Sequence, residues 1–324
     1  MAQAAPTPYF TRARATNAST TPVSALNFQA MHWKTLGKYG RTPTNGDFFQ
    51  PFGVCASSDG MNLFVADCGN NCVQVLSLPI GNHMRTISAG VFKYPTFLCL
   101  SPDDTLLFVA DSGNNCVQVL RTSDYQVVRT IGTAGRDDGQ FDYPQGLCVS
   151  PSGERLYVVD SENNRLQVFR VSDGAHLRTI WPTSSKAKST ANGGFDWPCG
   201  ISMSPDGQSL FVADHHNNRI QVFNANNGVF VRAFGCEGRG LCQFACVNGV
   251  CLNPTGDLIV IVDDGNNRVQ LVRADDGGHV RTFGTLGDDD GQFKRPMCVC
   301  WVKTEGDYKL VVTEAGNSRV QLFH

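Results

Sequence analysis

The chain has 324 residues, a formal net charge of -2 and only 17% charged residues. That near-neutral balance leaves no electrostatic footprint for a polyanion. No apolar run approaches the ~18–20 residues that a membrane-spanning helix needs, so a soluble protein is expected. Thirteen cysteines would suggest a disulfide framework in a small secreted protein. Here Cys55, Cys99, Cys148, Cys251 and Cys300 fall at one repeated position, with Ser202 filling it in the fourth repeat. A small side chain recurring once per repeat points to packing and a reducing compartment.

Residues 1–26 are rich in Ala, Thr, Ser and Pro and carry Arg12 and Arg14, and the first acidic residue is Asp47. The segment reads as a flexible tail before one domain spanning 27–324. An Arg-bearing, acid-free stretch is also what a transit peptide looks like. The expected location is therefore cytoplasmic, with mitochondrial as the alternative.

The next segment, His32-Trp33-Lys34-Thr35-Leu36-Gly37, has counterparts at 83–87, 127–132, 176–180, 230–235 and 279–284. Each counterpart follows a Val-Gln-Val type strand, whereas this first copy stands before any such strand. The most insistent repeat is Asp111-Ser112-Gly113-Asn114-Asn115-Cys116-Val117-Gln118-Val119. It recurs from Asp67, Asp160, Asp214 and Asp263, and in altered form from Glu314, with starts 44 to 54 residues apart. Such a period marks propellers or solenoids.

One repeat, residues 92–132, shows the pattern. Phe97 to Leu100 is an apolar strand, and Ser101-Pro102-Asp103-Asp104 has the chemistry of a type I turn. Leu106 to Ala110 is apolar throughout, which predicts burial on both faces. Ser112 to Asn115 is a tight turn, with Gly and Asn expected to supply positive φ. Val117 to Leu120 and Val127 to Ile131 are the third and fourth strands. Four antiparallel strands per ~50 residues make a propeller blade. The predicted fold is all-β, a six-bladed β-propeller. Residues 32–36 supply the outer strand of the blade formed by 293–323, a closure that covers an exposed edge and buries Trp33 and Leu36.

The repeated Pro-x-Gly-(Val/Leu)-Cys, Ser-Pro-x-Gly and Leu-(Phe/Tyr)-Val-x-Asp-x-x-Asn-Asn-Arg-(Val/Ile/Leu)-Gln-Val resembles the NHL repeat over roughly residues 32–324. Departures are local. Cys72 and Cys116 replace the usual Arg, Val247 replaces a Pro, and Glu314 replaces the Asp. The resemblance implies a six-bladed propeller. It also brings to mind tripartite-motif ubiquitin ligases, whose NHL propellers act as substrate or RNA modules. Their RING, B-box and coiled-coil parts are not found in this sequence.

The recurring carboxylates Asp67, Asp111, Asp160, Asp214, Asp263 and Glu314 are expected to serve structure, through Asx-type bonds to turn amides. Arg165, Arg219, Arg268 and Arg319, five residues later, are in reach to pair with them. His32, His83, His176 and His279 share one outer-strand position. Only His215 and His216 are read as departing from the repeat, and a lone pair falls short of the three or four ligands zinc takes. The amidating-lyase members of the resembled family hold zinc on histidines from several blades, a set this chain does not offer. Cys236, Cys242 and Cys246 lack the Cys-x2-Cys spacing of zinc knuckles. No cofactor and no metal are expected.

Specificity is expected on the loops joining blades: 37–50, 88–94, 132–143, 182–197, 235–247 and 284–295. Their basic residues are Lys38, Arg41, Lys93, Arg136, Lys186, Lys188, Arg239, Lys294 and Arg295. They are matched by Asp47, Asp137, Asp138, Asp142, Asp196, Glu237, Asp288, Asp289 and Asp290. Tyr39, Tyr94, Tyr143 and Trp197 also lie there, three of them directly before a Pro, which reads as a packing context. The predicted function is a non-enzymatic scaffold that binds a protein partner through this face, as a monomer or within a larger assembly. Sequence-specific RNA binding and a metal-dependent lyase are the alternatives.

Overall fold

The computed structural model describes residues 29–42, 46–87, 90, 92–180 and 189–324. The 1–26 tail, Lys186 and Lys188 lie outside them. Six four-stranded antiparallel sheets stand in sequence order, each built inner strand to outer strand. The first comprises Pro51–Ala56, Asn62–Asp67, Cys72–Ser77 and Asn82–Ile87. The next four repeat that order from inner strands Pro95–Leu100, Pro144–Val149, Pro198–Met203 and Val247–Leu252. The sixth takes three strands from the C-terminal end, Pro296–Thr304, Asp307–Glu314 and Arg319–Phe323. Its outer strand is His32–Leu36, paired antiparallel with His32 opposite Phe323 and Leu36 opposite Val320.

The second strand of each blade is buried on both faces because each face meets a different neighbour. Phe108 and Ala110 pack toward Leu147, Phe141 and Phe169 of the third blade. Val109 and Leu107 pack toward Val73, Val75 and Phe64 of the first. Alternation along one strand therefore joins two inter-blade cores, and the ring is held by six such cores in series. Near the axis, inner strands of adjacent blades touch backbone to backbone. A Cβ on Gly146 would lie 2.2 Å from the carbonyl oxygen of Cys199.

Two expectations change. Leu36 is buried at 4% exposure, but Trp33 is 37% exposed, with the Lys309 ammonium 5.7 Å from its ring centroid. The outer strand of the closing blade shows one side of that ring to solvent. In the turn after each second strand, positive φ belongs to the second Asn (Asn71, Asn115, Asn164, Asn218, Asn267) and to Ser318. The glycines serve close approach instead. A Cβ on Gly113 would sit 2.7 Å from the Lys93 carbonyl oxygen, which accepts the Gly113 N–H at 2.8 Å.

Candidate functional site

The face carrying the inter-blade loops is built on the repeated carboxylates. In the third blade Asp160 Oδ1 accepts the N–H of Asp142 at 2.8 Å. Its Oδ2 accepts Asn163 Nδ2 at 3.0 Å, Arg165 Nε at 2.6 Å and Gln167 Nε2 at 3.1 Å. The same pattern holds at Asp214 and Asp263, and at Glu314, whose longer side chain does the same work. The expected Asx-type bond to turn amides is not what forms. The carboxylate reaches past its own turn to an amide 18 residues earlier (20 for Glu314), tying the incoming loop to the blade. The Arg pairing does form. Each guanidinium then continues into the loop, Arg165 donating to the carbonyls of Arg136, Asp137 and Gln140 at 2.9, 2.8 and 2.7 Å.

Above this network runs a rim of six residues, each just before an inner strand: Gln50, Tyr94, Tyr143, Trp197, Cys246 and Arg295. All six have a left-handed backbone, with φ between 51° and 58°. That conformation costs a non-glycine residue about 1–3 kcal/mol, so something must hold it. From Tyr94 to Arg295, the holder is the left-handed Asn of the preceding blade. Its Oδ1 accepts the rim N–H, as Asn115 does for Tyr143 at 2.7 Å and Asn164 for Trp197 at 2.8 Å. The second Asn of each Asn-Asn pair thus positions a side chain of the next blade.

The packing context expected for the aromatics before Pro is not found at Tyr94, which is 50% exposed; Tyr143 and Trp197 are half-buried. The structure gathers part of the predicted set into an arc over the third and fourth blades. Ring centroids of Tyr143 and Trp197 are 6.1 Å apart, Trp197 and His216 5.7 Å, and His216 and His215 4.9 Å. His215 Nδ1 donates to the Val247 carbonyl at 2.9 Å, and burial pushes its pKa below the ordinary value. His216 Nδ1 lies 3.4 Å from Asp196 Oδ1. Burial also pushes the Tyr143 phenol up.

Glu162, which is not among the sequence-predicted residues, belongs to this arc. It occupies the place of Gly69 and Gly113 just as His216 does, and that shared departure was the available signal. Although the residue is exposed, its carboxyl is held above the usual range, by partial desolvation first and then by the charge of Asp142; Arg136 and His216 act the other way. The remaining predicted residues stand apart. Tyr39 and Arg41 form a separate group, with Arg41 Nε donating to the Tyr39 hydroxyl at 2.9 Å and its guanidinium 4.9 Å from the Phe49 centroid. Arg295 stands by Asp264, whose carboxyl burial pushes up to about 6 while Arg295 pulls it down, and its charge also reaches His215 of the arc. The backbones of Lys38, Arg239 and Lys294 serve the loop frame: the Lys38 and Arg239 carbonyls accept N–H groups and the Lys294 N–H binds Glu314.

The outer-strand histidines each bond a threonine three residues on, His32 to Thr35 at 3.0 Å and His83 to Thr86 at 2.8 Å. Cys242 Sγ donates to the Gly277 carbonyl at 3.3 Å, Cys236 is exposed, and all thirteen thiols are free. Among the described residues no group of three or more His, Cys, Asp or Glu is placed to hold a metal, and no helix is long and apolar enough to cross a membrane.

Comparison with known proteins agrees with this architecture. The NHL repeat model matches residues 92–120, 141–169 and 195–223. Curated proteins yield no match. Among solved structures the chain is similar to a structural-genomics protein of unknown function from Bacteroides thetaiotaomicron VPI-5482. That match has 17% identity and a TM-score of 0.69, covering 90% of this chain and 74% of that one. It is also similar to the hydrazine synthase of Kuenenia stuttgartiensis, with 19% identity and a TM-score of 0.57, covering 86% and 80%. At such identities the likeness is one of fold.

Proposed function

We propose that this six-bladed β-propeller, three of whose repeats match the NHL repeat model, is a non-enzymatic scaffold docking a protein partner on its loop face. The observation that carries this reading is the way the face is held. Each rim residue from Tyr94 to Arg295 is fixed in a left-handed conformation by the neighbouring blade. Rigid presentation of aromatic side chains lowers the ordering cost of association, and aromatic residues are enriched at the energetic centres of protein interfaces. The face combines half-buried rings with charges of both signs, the composition of an interface rather than of a phosphate-tracking groove.

Cross-linking of the protein to its partners in native cell extract, mapped by mass spectrometry, tests the assignment. Links are expected at Lys38, Lys93 and Lys294 on the loop face. Links confined to Lys303 and Lys309, on the opposite face, overturn it, as does recovery of RNA in place of protein.

A further inference from the structure

The nine-against-nine charge count conceals a local asymmetry. Among the described residues, the carboxylates around the Tyr143–Trp197–His216 arc are Asp142, Glu162 and Asp196, set against Arg136 beside Glu162 and Arg295 on the His215 side. Glu162 lies within electrostatic reach of both Tyr143 and His216, the two ends of that ring series. It is exposed, and its N–H is bonded to the Asp142 carbonyl at 3.1 Å. Asp196 flanks the far end through His216.

A second observation lies on the inner strand that follows Tyr143. Gln145, two residues beyond Tyr143, is 3% exposed, and among the described residues its Oε1 has no hydrogen-bond partner. At the same inner-strand position Thr96 meets Ser112 at 2.6 Å and Asn248 meets Asp264 at 3.1 Å. In the third blade the corresponding hydroxyl, Ser161, donates to the Pro198 carbonyl at 2.7 Å, as Ser112 does to the Pro144 carbonyl at 2.5 Å, and makes no bond to Gln145 Oε1. A buried acceptor without a donor calls for an N–H from outside.

Aromatic faces, carboxylates and an unmatched acceptor are one kind of complementarity. We infer that the arc over the third and fourth blades recognises a basic side chain, lysine or arginine, projecting from the partner. The cation lies against the faces of Trp197 and Tyr143, attracted by their ring quadrupoles. Glu162 and Asp142 balance its charge, and the unpaired Gln145 Oε1 on the strand after Tyr143 is a further acceptor. The same features disfavour phosphate, which would meet three carboxylates.

The inference deepens the scaffold reading and rests on it for the identity of the occupant. Acetylated Gly-Gly-Arg-Gly-Gly and Gly-Gly-Lys-Gly-Gly amides, titrated into the full chain, are the probes. Norleucine replaces the basic residue in the control, and the signal is the indole N–H resonance of Trp197. Saturable shifts are expected with both basic peptides and none with norleucine, weakening as salt rises. Trp197→Ala, followed on the remaining perturbed resonances, should weaken binding about 2- to 5-fold, and Trp197→Phe should restore most of it. Glu162→Gln, on an exposed side chain, should weaken it about 2-fold. An equal response to norleucine, or binding unaffected by both Trp197→Ala and Glu162→Gln, overturns the inference. Loop-face cross-links with no peptide response leave the scaffold reading standing and remove the cation site. Peptide binding with cross-links confined to Lys303 and Lys309 does the reverse.

Discussion

Blades three to six and blades one and two share the same carboxylate anchor but hold their incoming loops differently. In the third blade the Asp160 carboxylate is completed by Arg165, itself fully buried, which reaches three loop carbonyls. In the first blade Asp67 receives the same amide, Asn and Gln donors, from Phe49, Asn70 and Gln74. Cys72 stands where the guanidinium would be, its Sγ 3.9 Å from the carboxylate. A thiol is a weak donor and stops there. The second blade repeats this with Cys116. Arg is thus dispensable for building a blade, since two fold without it. What it adds is a clamp on the loop, and the aromatic arc stands over two blades that have one.

The comparison breaks hardest at Arg165. Replacing it with Met leaves Asp160 buried beside only neutral donors and takes a donor from three loop carbonyls, of which Gln140 keeps Gln167 Nε2 and Asp137 keeps the Gln140 N–H. Removing one partner of a buried pair costs about 3–5 kcal/mol. Chemical denaturation of the full chain should show that loss. A change below about 1 kcal/mol would mean that Asn163 and Gln167 suffice, as their equivalents do in blade one.

The reciprocal change, Cys72→Arg, sharpens the contrast through pH. Burial pushes the Asp67 carboxyl from 3.8 up to about 6. A carboxyl raised in the folded state binds its proton more tightly there than when unfolded. Its contribution therefore makes the fold more stable as pH falls from above 6 toward 4, and that gain is lost as pH rises through 6. A guanidinium beside Asp67 lowers this pKa and reduces the effect, although burial still raises Asp160 and Asp214 beside their arginines. Denaturation midpoints followed from pH 7 to pH 4 should show a flatter dependence for Cys72→Arg, with about 0.5–2 kcal/mol of added stability at pH 7. An unchanged slope would show that the new side chain does not reach the carboxylate.

The smallest effect is expected for Cys116→Ser. The hydroxyl is a better donor to Asp111 than the thiol but fills less of a buried site, so the two changes offset to within about 1 kcal/mol. A larger loss in thermal melting would assign the thiol a packing role in its own right.

Much of this was legible in advance because a repeat reports its own solution several times. The Asp-x-x-Asn-Asn-x-x-Gln spacing, recurring with Arg five residues after the acid, announced a shared structural unit, and strand alternation placed the blades. The partner of the acid was not legible. Its amide lies 18 residues upstream in a loop of no fixed sequence, and backbone donors carry no sequence signature. For the same reason Glu162 carries a weaker sequence signal than His215 and His216. A glutamate in a turn is unremarkable until the face it shares is known.

By itself the sequence determined the period, the strands, the six blades and the pairing of Arg with Asp, because these depend on side-chain chemistry at short, repeated separations. Only the tertiary structure decided which side chains meet across blades. The rim residues take their left-handed geometry from an Asn of the preceding blade, 23 residues before Tyr94 and 33 before Trp197. Ring closure, not spacing along the chain, brings Tyr143, Trp197, His216 and Glu162 to one surface.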